Sequence, residues 1–399
     1  ERAAKTSAVI AAMNAELSDK SKNITTRISA MFKGNQFLAF VYERYNDLRL
    51  VAAPPESVGK FGGDTDNWEW PRHTGDFSVF RVYMSKDGQP AEYSTANVPL
   101  KPKYFLPVSI RGVKDGDYAM IYPGSTNRYE TSYGVKQKID INNPTLVELR
   151  DMRLKYMFEY MKNDPAVKLK LAPDYANIAN YWKFYDGETK QLIKYHIYDQ
   201  KVAQEENFTK WARVKPEFEN IFTDLAKAYD AWRPYSKHYV YINEGIFGSP
   251  LMAFAGSLQQ VENAIVKSGK SQDITRAVEA ADKAREEFIK TEHVPSDKKI
   301  LATVLQWFYN EIDKSQHPIG FYESLKGSFG DLKDAATYTK YSDNVFANTF
   351  LLDSIKWKAF VKNPDGTVLQ GDPAYSTANA FIKNFQNKDL PMLQQFNVR

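Results

Sequence analysis

The apolar positions change their period once along the chain, near residue 135. The first 22 or so residues are Ala-rich, with Val9, Met13 and Leu17 at helical spacing, which predicts an amphipathic helix. From Asn35 to about Tyr133 the pattern is that of strands. Residues 36–45 and 48–52 are aromatic and β-branched, and Ala53-Pro54-Pro55 ends the second run. Phe77, Val79 and Arg81 alternate with Ser78, Phe80 and Val82, and Lys86-Asp87-Gly88 offers an Asp-Gly turn. Shorter runs follow at 104–110 and 118–122. Short strands divided by frequent turns predict a β-barrel or sandwich unit.

Beyond Gly134 the period is helical. Leu149, Met152, Tyr156 and Tyr160 share a face, as do Phe218, Ile221, Phe222, Leu225 and Tyr229 behind Pro216, a residue suited to a first turn. Ser296 is a candidate cap for a helix bearing Ile300, Leu301, Val304, Leu305, Phe308 and Ile312. The expectation is an α+β chain, with a β unit over 1–134 and a large helical unit over 135–399.

Composition narrows the function. At 399 residues the chain is long enough for two or three domains. Aromatics at 14% and a net charge of only +4 exclude a disordered chain. A mean hydropathy of −0.53, without an apolar run near ~18 residues, argues against a membrane span. Basic and acidic residues are interleaved, so nucleic acid is not the expected partner. Without cysteine there are no disulfides, thiolate nucleophiles or Cys-ligated zinc. The start, Glu-Arg-Ala-Ala-Lys, has neither an initiator Met nor an apolar signal stretch, and reads as an internal point of a longer chain.

Several motifs fail on their chemistry. Gly269-Lys270-Ser271 resembles the end of a P-loop, but Ala264 stands where its first glycine belongs. Asp64-x-Asp66 opens like a calcium loop, yet Trp68 takes the third ligand position and Glu69 the obligatory glycine. The histidines (His73, His196, His238, His293, His317) show no ligand spacing, so neither a metal nor a cofactor is expected. Gly248-Ser249-Pro250, with His238 upstream, looks like the tail of a protease nucleophile motif. Its flanks, Phe247 and Leu251, are helical in character, and Ser249 is read as a cap.

One stretch stands apart. Residues 59–77 pack glycines, acids, Trp68, Trp70 and His73 into a loop leading to a strand, a composition suited to a polar cleft. The alternative is an ordered loop in which Arg72 pairs with the acids. Residues 62–77 closely resemble the Gly-Gly-Asp-x-Asp-Asn-Trp-x-Trp-Pro-Arg-His-Thr-Gly-Asp-Phe string of the bacterial dipeptidyl-peptidase 7 and 11 family of serine exopeptidases. The resemblance continues in Gly34-Asn35-Gln36, Asp47-x-Arg49-Leu50-Val51-x-Ala53-Pro54-Pro55, residues 123–129 and Ala179-Asn180-Tyr181-Trp182-Lys183.

The resemblance implies a chymotrypsin-like double β-barrel with an inserted α-helical domain, of which this chain would hold part of the barrel and the insertion. It implies removal of dipeptides from peptides with a free N-terminus, by a Ser-His-Asp triad. By position, Asp76 resembles the triad aspartate, and Asn67, Trp68 and Asn180 resemble contacts to the substrate's α-amino group. An ammonium offers three donors, which amide and main-chain oxygens accept. His73, three residues before Asp76, is expected to order the loop, because the family's catalytic histidine comes from an earlier segment. That histidine and the Gly-x-Ser-Gly nucleophile are expected outside this chain. The resemblance further implies a homodimer in the periplasm or at the surface of a Gram-negative bacterium. The alternative reading is a non-catalytic module that binds peptide N-termini.

Overall fold

A computed structural model describes residues 2–120 and 130–398. The chain divides into two units, Glu1–Ser125 and Thr126–Arg399.

The first unit contains α1 (Arg2–Leu17), β1 (Ile24–Met31), β2 (Gln36–Glu43), β3 (Leu48–Ala52), α2 (Glu56–Gly59), β4 (Val79–Met84) and β5 (Val98–Pro99). β1 and β2 form an antiparallel hairpin with Met31 opposite Gln36. Its connection turns through Gly34 at a φ of 84°, a conformation natural to glycine. β3, β4 and β5 form a separate antiparallel sheet, with Leu48 opposite Val82 and Tyr83 opposite Pro99. The expected turn is present after β4, where the Gly88 N–H donates to Ser85 O at 3.0 Å.

Three expectations change here. α1 ends at Leu17, and its apolar face is exposed, with Val9 at 57%. β1 occupies a stretch that sequence periodicity left unassigned, although Thr25, Thr26 and Ile28 carried a β-branched signal. Residues 104–110 form no strand, and Tyr104, Leu106, Val108 and Ile110 are exposed. The chymotrypsin-like barrel is accordingly not seen. Closure requires a continuous circuit of paired strands, and the described strands fall into two open sheets. Among the described residues, every buried apolar side chain lies at Val135 or beyond.

The second unit is helical. It opens with α3 (Ser132–Gln137), α4 (Asn143–Met161), α5 (Pro165–Lys194), α6 (Ile197–Ala212), α7 (Ile221–Val240) and α8 (Pro250–Ser257). Then come α9 (Gln259–Asn263), α10 (Ser271–Thr291), α11 (Val294–Glu311), α12 (Phe321–Phe329) and α13 (Ala335–Asn348). It closes with α14 (Ser354–Lys362), α15 (Gly366–Gly371) and α16 (Pro373–Val398). Leu301, Val304, Leu305 and Phe308 of α11 are fully buried at the centre of its main core, with Tyr241, Ile246, Leu251, Tyr338 and Phe381. This is the stripe at spacings of three and four that the sequence showed.

Two helix starts differ from expectation. α7 begins at Ile221 rather than behind Pro216, because Phe218 is drawn onto the rings of Phe208 and Trp211 on α6. α11 is capped by His293, whose ring nitrogen accepts from the Ser296 N–H at 3.4 Å, so Ser296 lies in the first turn.

Candidate functional site

The loop that carries most of the candidate residues begins at α2 and closes on itself before β4. Its base is fastened where the Gly75 N–H donates to Val58 O at 3.0 Å. A Cβ on Gly75 would come within 2.9 Å of Val58 Cγ1, so the closure depends on a residue without a side chain. Between these points the backbone runs through consecutive turns, among them Gly63 N–H to Lys60 O at 2.8 Å and Glu69 N–H to Asp66 O at 3.1 Å.

Arg72 holds the interior of the loop. One guanidinium nitrogen donates to Asp66 O at 3.2 Å and to Asn67 Oδ1 at 3.0 Å, and the other to Thr74 Oγ1 at 3.0 Å. Thr74 in turn donates to Phe61 O at 2.8 Å. The bonds of Arg72 therefore go to carbonyl, amide and hydroxyl oxygens, where pairing with the acids was the alternative. The ordering contacts flank His73, which is itself exposed. Asn67 is half-buried and its amide oxygen is aimed by Arg72.

Trp68 is 57% exposed and has a φ of 60°. For a bulky residue this left-handed conformation costs on the order of 1–3 kcal/mol and needs surroundings that enforce it. Asp76 directly follows the glycine closure, three residues before β4, and its carboxylate is exposed. Asn67, Trp68 and Asp76 thus share one fastened loop.

The same unit contains a network that sequence reasoning quoted without assigning a role. Asp47 is almost fully buried and receives Arg49 Nε at 2.9 Å, an Arg49 terminal nitrogen at 2.8 Å and Asn97 Nδ2 at 2.8 Å. The Arg49 bonds, ahead of burial acting the other way, hold the Asp47 carboxyl down at about 2. The Arg49 guanidinium lies 3.7 Å from the Tyr83 ring centre on β4. The Asp-x-Arg spacing across the start of a strand was the available signal.

Asn180 belongs to the second unit, on α5. It follows Ile178 and Ala179, which pack with Leu171 against Leu154, Met157 and Met161 of α4. Asn180 is half-buried at the margin of that seam. α5 is also strapped by polar contacts. Arg150 of α4 sits over Tyr181 and Tyr185 while donating to Glu244 at 2.6 Å, and Asn143 Nδ2 donates to Glu188 at 2.9 Å. The resembling stretch 123–129 lies outside the described residues.

Ser249 and His238 take structural roles. Ser249 is buried and caps α8 through Met252 N–H. His238 is fully buried, with Nδ1 2.8 Å from Asp389 and Nε2 3.0 Å from Asn384 Nδ2.

Among known proteins, the chain is 35% identical over 372 residues to a dipeptidyl-peptidase 7 of Capnocytophaga gingivalis, covering 92% of this chain and 51% of that protein. It is 38% identical over 397 residues to an Asp/Glu-specific dipeptidyl-peptidase of the same organism, covering 93% of this chain and 54% of the relative. The chain thus spans about half the length of the curated relatives it matches. A solved structure of Porphyromonas endodontalis DPP11 in complex with the dipeptide Arg-Glu superposes with a TM-score of 0.74 at 29% identity, over 94% of this chain and 53% of that one. The family model described as Peptidase S46 matches residues 1–397, and the chain belongs to that family.

Proposed function

We propose that this chain is the segment of a serine-class dipeptidyl aminopeptidase that supplies the triad aspartate and the grip on the substrate's free α-amino group. The observation that carries this reading is the loop fastened at Val58 and Gly75, with Asn67 aimed by Arg72, Trp68 in a strained left-handed turn and Asp76 beside the closure. Strain of this kind clusters at ligand clamps and active sites. The dipeptide bound in the related DPP11 structure supports a peptide ligand.

In this reading Asp76 accepts the Nδ1–H of a histidine, fixes its tautomer and stabilises the imidazolium formed when that histidine takes the serine proton. The histidine and serine are assigned to parts of the relatives' length outside the match. Asn67, Trp68 and Asn180 hold the substrate ammonium. An amine fixed two residues from the scissile bond measures off a dipeptide. The exposed apolar faces of β2, β3 and β4 suit an incomplete barrel awaiting further strands. The proposal includes a homodimer in the periplasm or at the cell surface of a Gram-negative bacterium.

Titration with a short peptide, against the same peptide N-acetylated, tests the clamp. The free amine should bind more tightly, and Asn67→Ala or Asn180→Ala should abolish the difference. Equal affinity for the two peptides would overturn the clamp. In an enzyme carrying the remaining triad members, Asp76→Asn should lower dipeptide release by on the order of 10⁴-fold with the fold intact.

A further inference from the structure

The junction between α10 and α11 buries two carboxyl groups side by side. Glu292 follows the last residue of α10 and is 5% exposed, and Asp297 lies in the first turn of α11 at 1%. Their side chains lie within hydrogen-bonding reach of one another. Asp297 Oδ2 accepts from the Leu251 N–H at 2.9 Å. Asp297 Oδ1 and both oxygens of Glu292 are buried and have no donor among the described residues.

Asp297 lines a partly open cavity of about 100 Å³ with Arg153 of α4, Asp174, Asn177 and Ile178 of α5, Gly248 just before α8 and Pro250 at its start. The charged and titratable groups facing the pair are Arg153 from α4, Lys170 and Asp174 from α5, and His293 within the junction. From the other side come the hydroxyl of Ser249, the cap of α8, and the Leu251 N–H of its first turn. Arg153 also serves Glu244 at 3.6 Å, so one guanidinium is divided between carboxylates.

Two ionised carboxylates buried in contact, with three oxygens that receive no donor from the described residues, would each require a compensation that the neighbouring side chains do not supply. A proton on one of them supplies the missing donor to the other.

We propose that Glu292 and Asp297 share a single proton in the folded protein and form a pH-dependent latch that seats the α10–α11 junction on α4, α5 and α8. Glu292 carries the proton and donates to Asp297 Oδ1, while Asp297 stays ionised toward Arg153 and the start of α8. Burial, before any neighbouring charge, raises both carboxyls above the ordinary range. Losing the proton places a second negative charge in the buried junction, where it competes with the packing of the helices. The latch bears on α5, the helix of Asn180, yet stands independently of any role for Asn180 in binding substrate.

The sign follows from linkage. A group whose carboxyl is raised in the folded state stabilises fully below its unfolded value, near pH 4, and loses that contribution as pH rises through its folded value. The test is urea unfolding of the full chain, followed by helix circular dichroism, from about pH 5 into the alkaline range, for wild type and Glu292→Gln. Glutamine keeps an N–H donor toward Asp297 and cannot ionise. The wild-type folding constant should fall by up to about tenfold per pH unit relative to the variant. Coincident pH slopes would overturn the latch. If Glu292→Gln does not fold, infrared spectra of wild type labelled with ¹³C-carboxyl glutamate decide the matter. An isotope-shifted protonated-carboxyl band at neutral pH that vanishes at alkaline pH supports the shared proton, and its absence at neutral pH overturns it.

Discussion

At the scale of single residues, Asp47 shows how a buried charge is kept. It is nearly fully buried, receives three side-chain hydrogen bonds, and orients Arg49 onto the Tyr83 ring. Its carboxyl is depressed to about 2, first by Arg49. A depressed acid stabilises the fold above its unfolded value of about 3.9 and loses that contribution as pH falls through its folded value. The first unit should therefore lose its near-UV tyrosine signal as acidity increases from about pH 4 toward pH 2. In Asp47→Asn this acid step should disappear, while the signal at neutral pH weakens because Arg49 loses its charged partner. An unchanged acid profile in the variant would remove Asp47 from the account.

Elements carry the precision that a binding residue needs. α5 is long and contains Pro173, so its course depends on its ends and on what straps it. Asp164 caps it by accepting from the Ala166 and Val167 N–H groups at 2.9 and 3.2 Å. Asp164→Ala should cost about 0.5–2 kcal/mol, seen as an earlier midpoint in urea unfolding followed by helix circular dichroism. Asp164→Asn, which keeps the accepting oxygen, should recover most of that loss. The loop of residues 58–75 has no such helical support and relies on Arg72, Thr74 and the glycine closure.

At the scale of the molecule, the two units differ in what holds them together. The second has a continuous core of fully buried side chains centred on α11. The first has two open sheets with Val41, Leu50, Val51 and Phe80 more than half exposed. A segment comprising residues 126–399, produced alone, should unfold in one cooperative transition. Residues 1–125 alone should bind a dye for exposed apolar surface and show no sharp transition. A sharp, dye-free transition in the shorter segment would show that its open sheets suffice. Among the described residues, no helix is long and apolar enough to cross a membrane.

Local chemistry made much of this protein legible from its sequence. The switch to helical period near residue 135, the strand at 48–52, the Asp-Gly turn after β4 and the α11 stripe depend on spacing, which neighbours in sequence set by themselves. The dense string at 62–77 identified the family for the same reason, since a run of specific residues survives without knowledge of its folding. Other features depend on partners far along the chain. Phe218 shifted the start of α7 by packing on α6, and 104–110 formed no strand because strand-like composition needs an adjacent edge to pair with. Only the tertiary structure turned Arg72 onto Asn67 and Thr74, and only it brought Glu292 and Asp297 together beside Arg153 and Lys170. Burial and charge pairing are properties of the assembled unit, and no pattern along the chain records them.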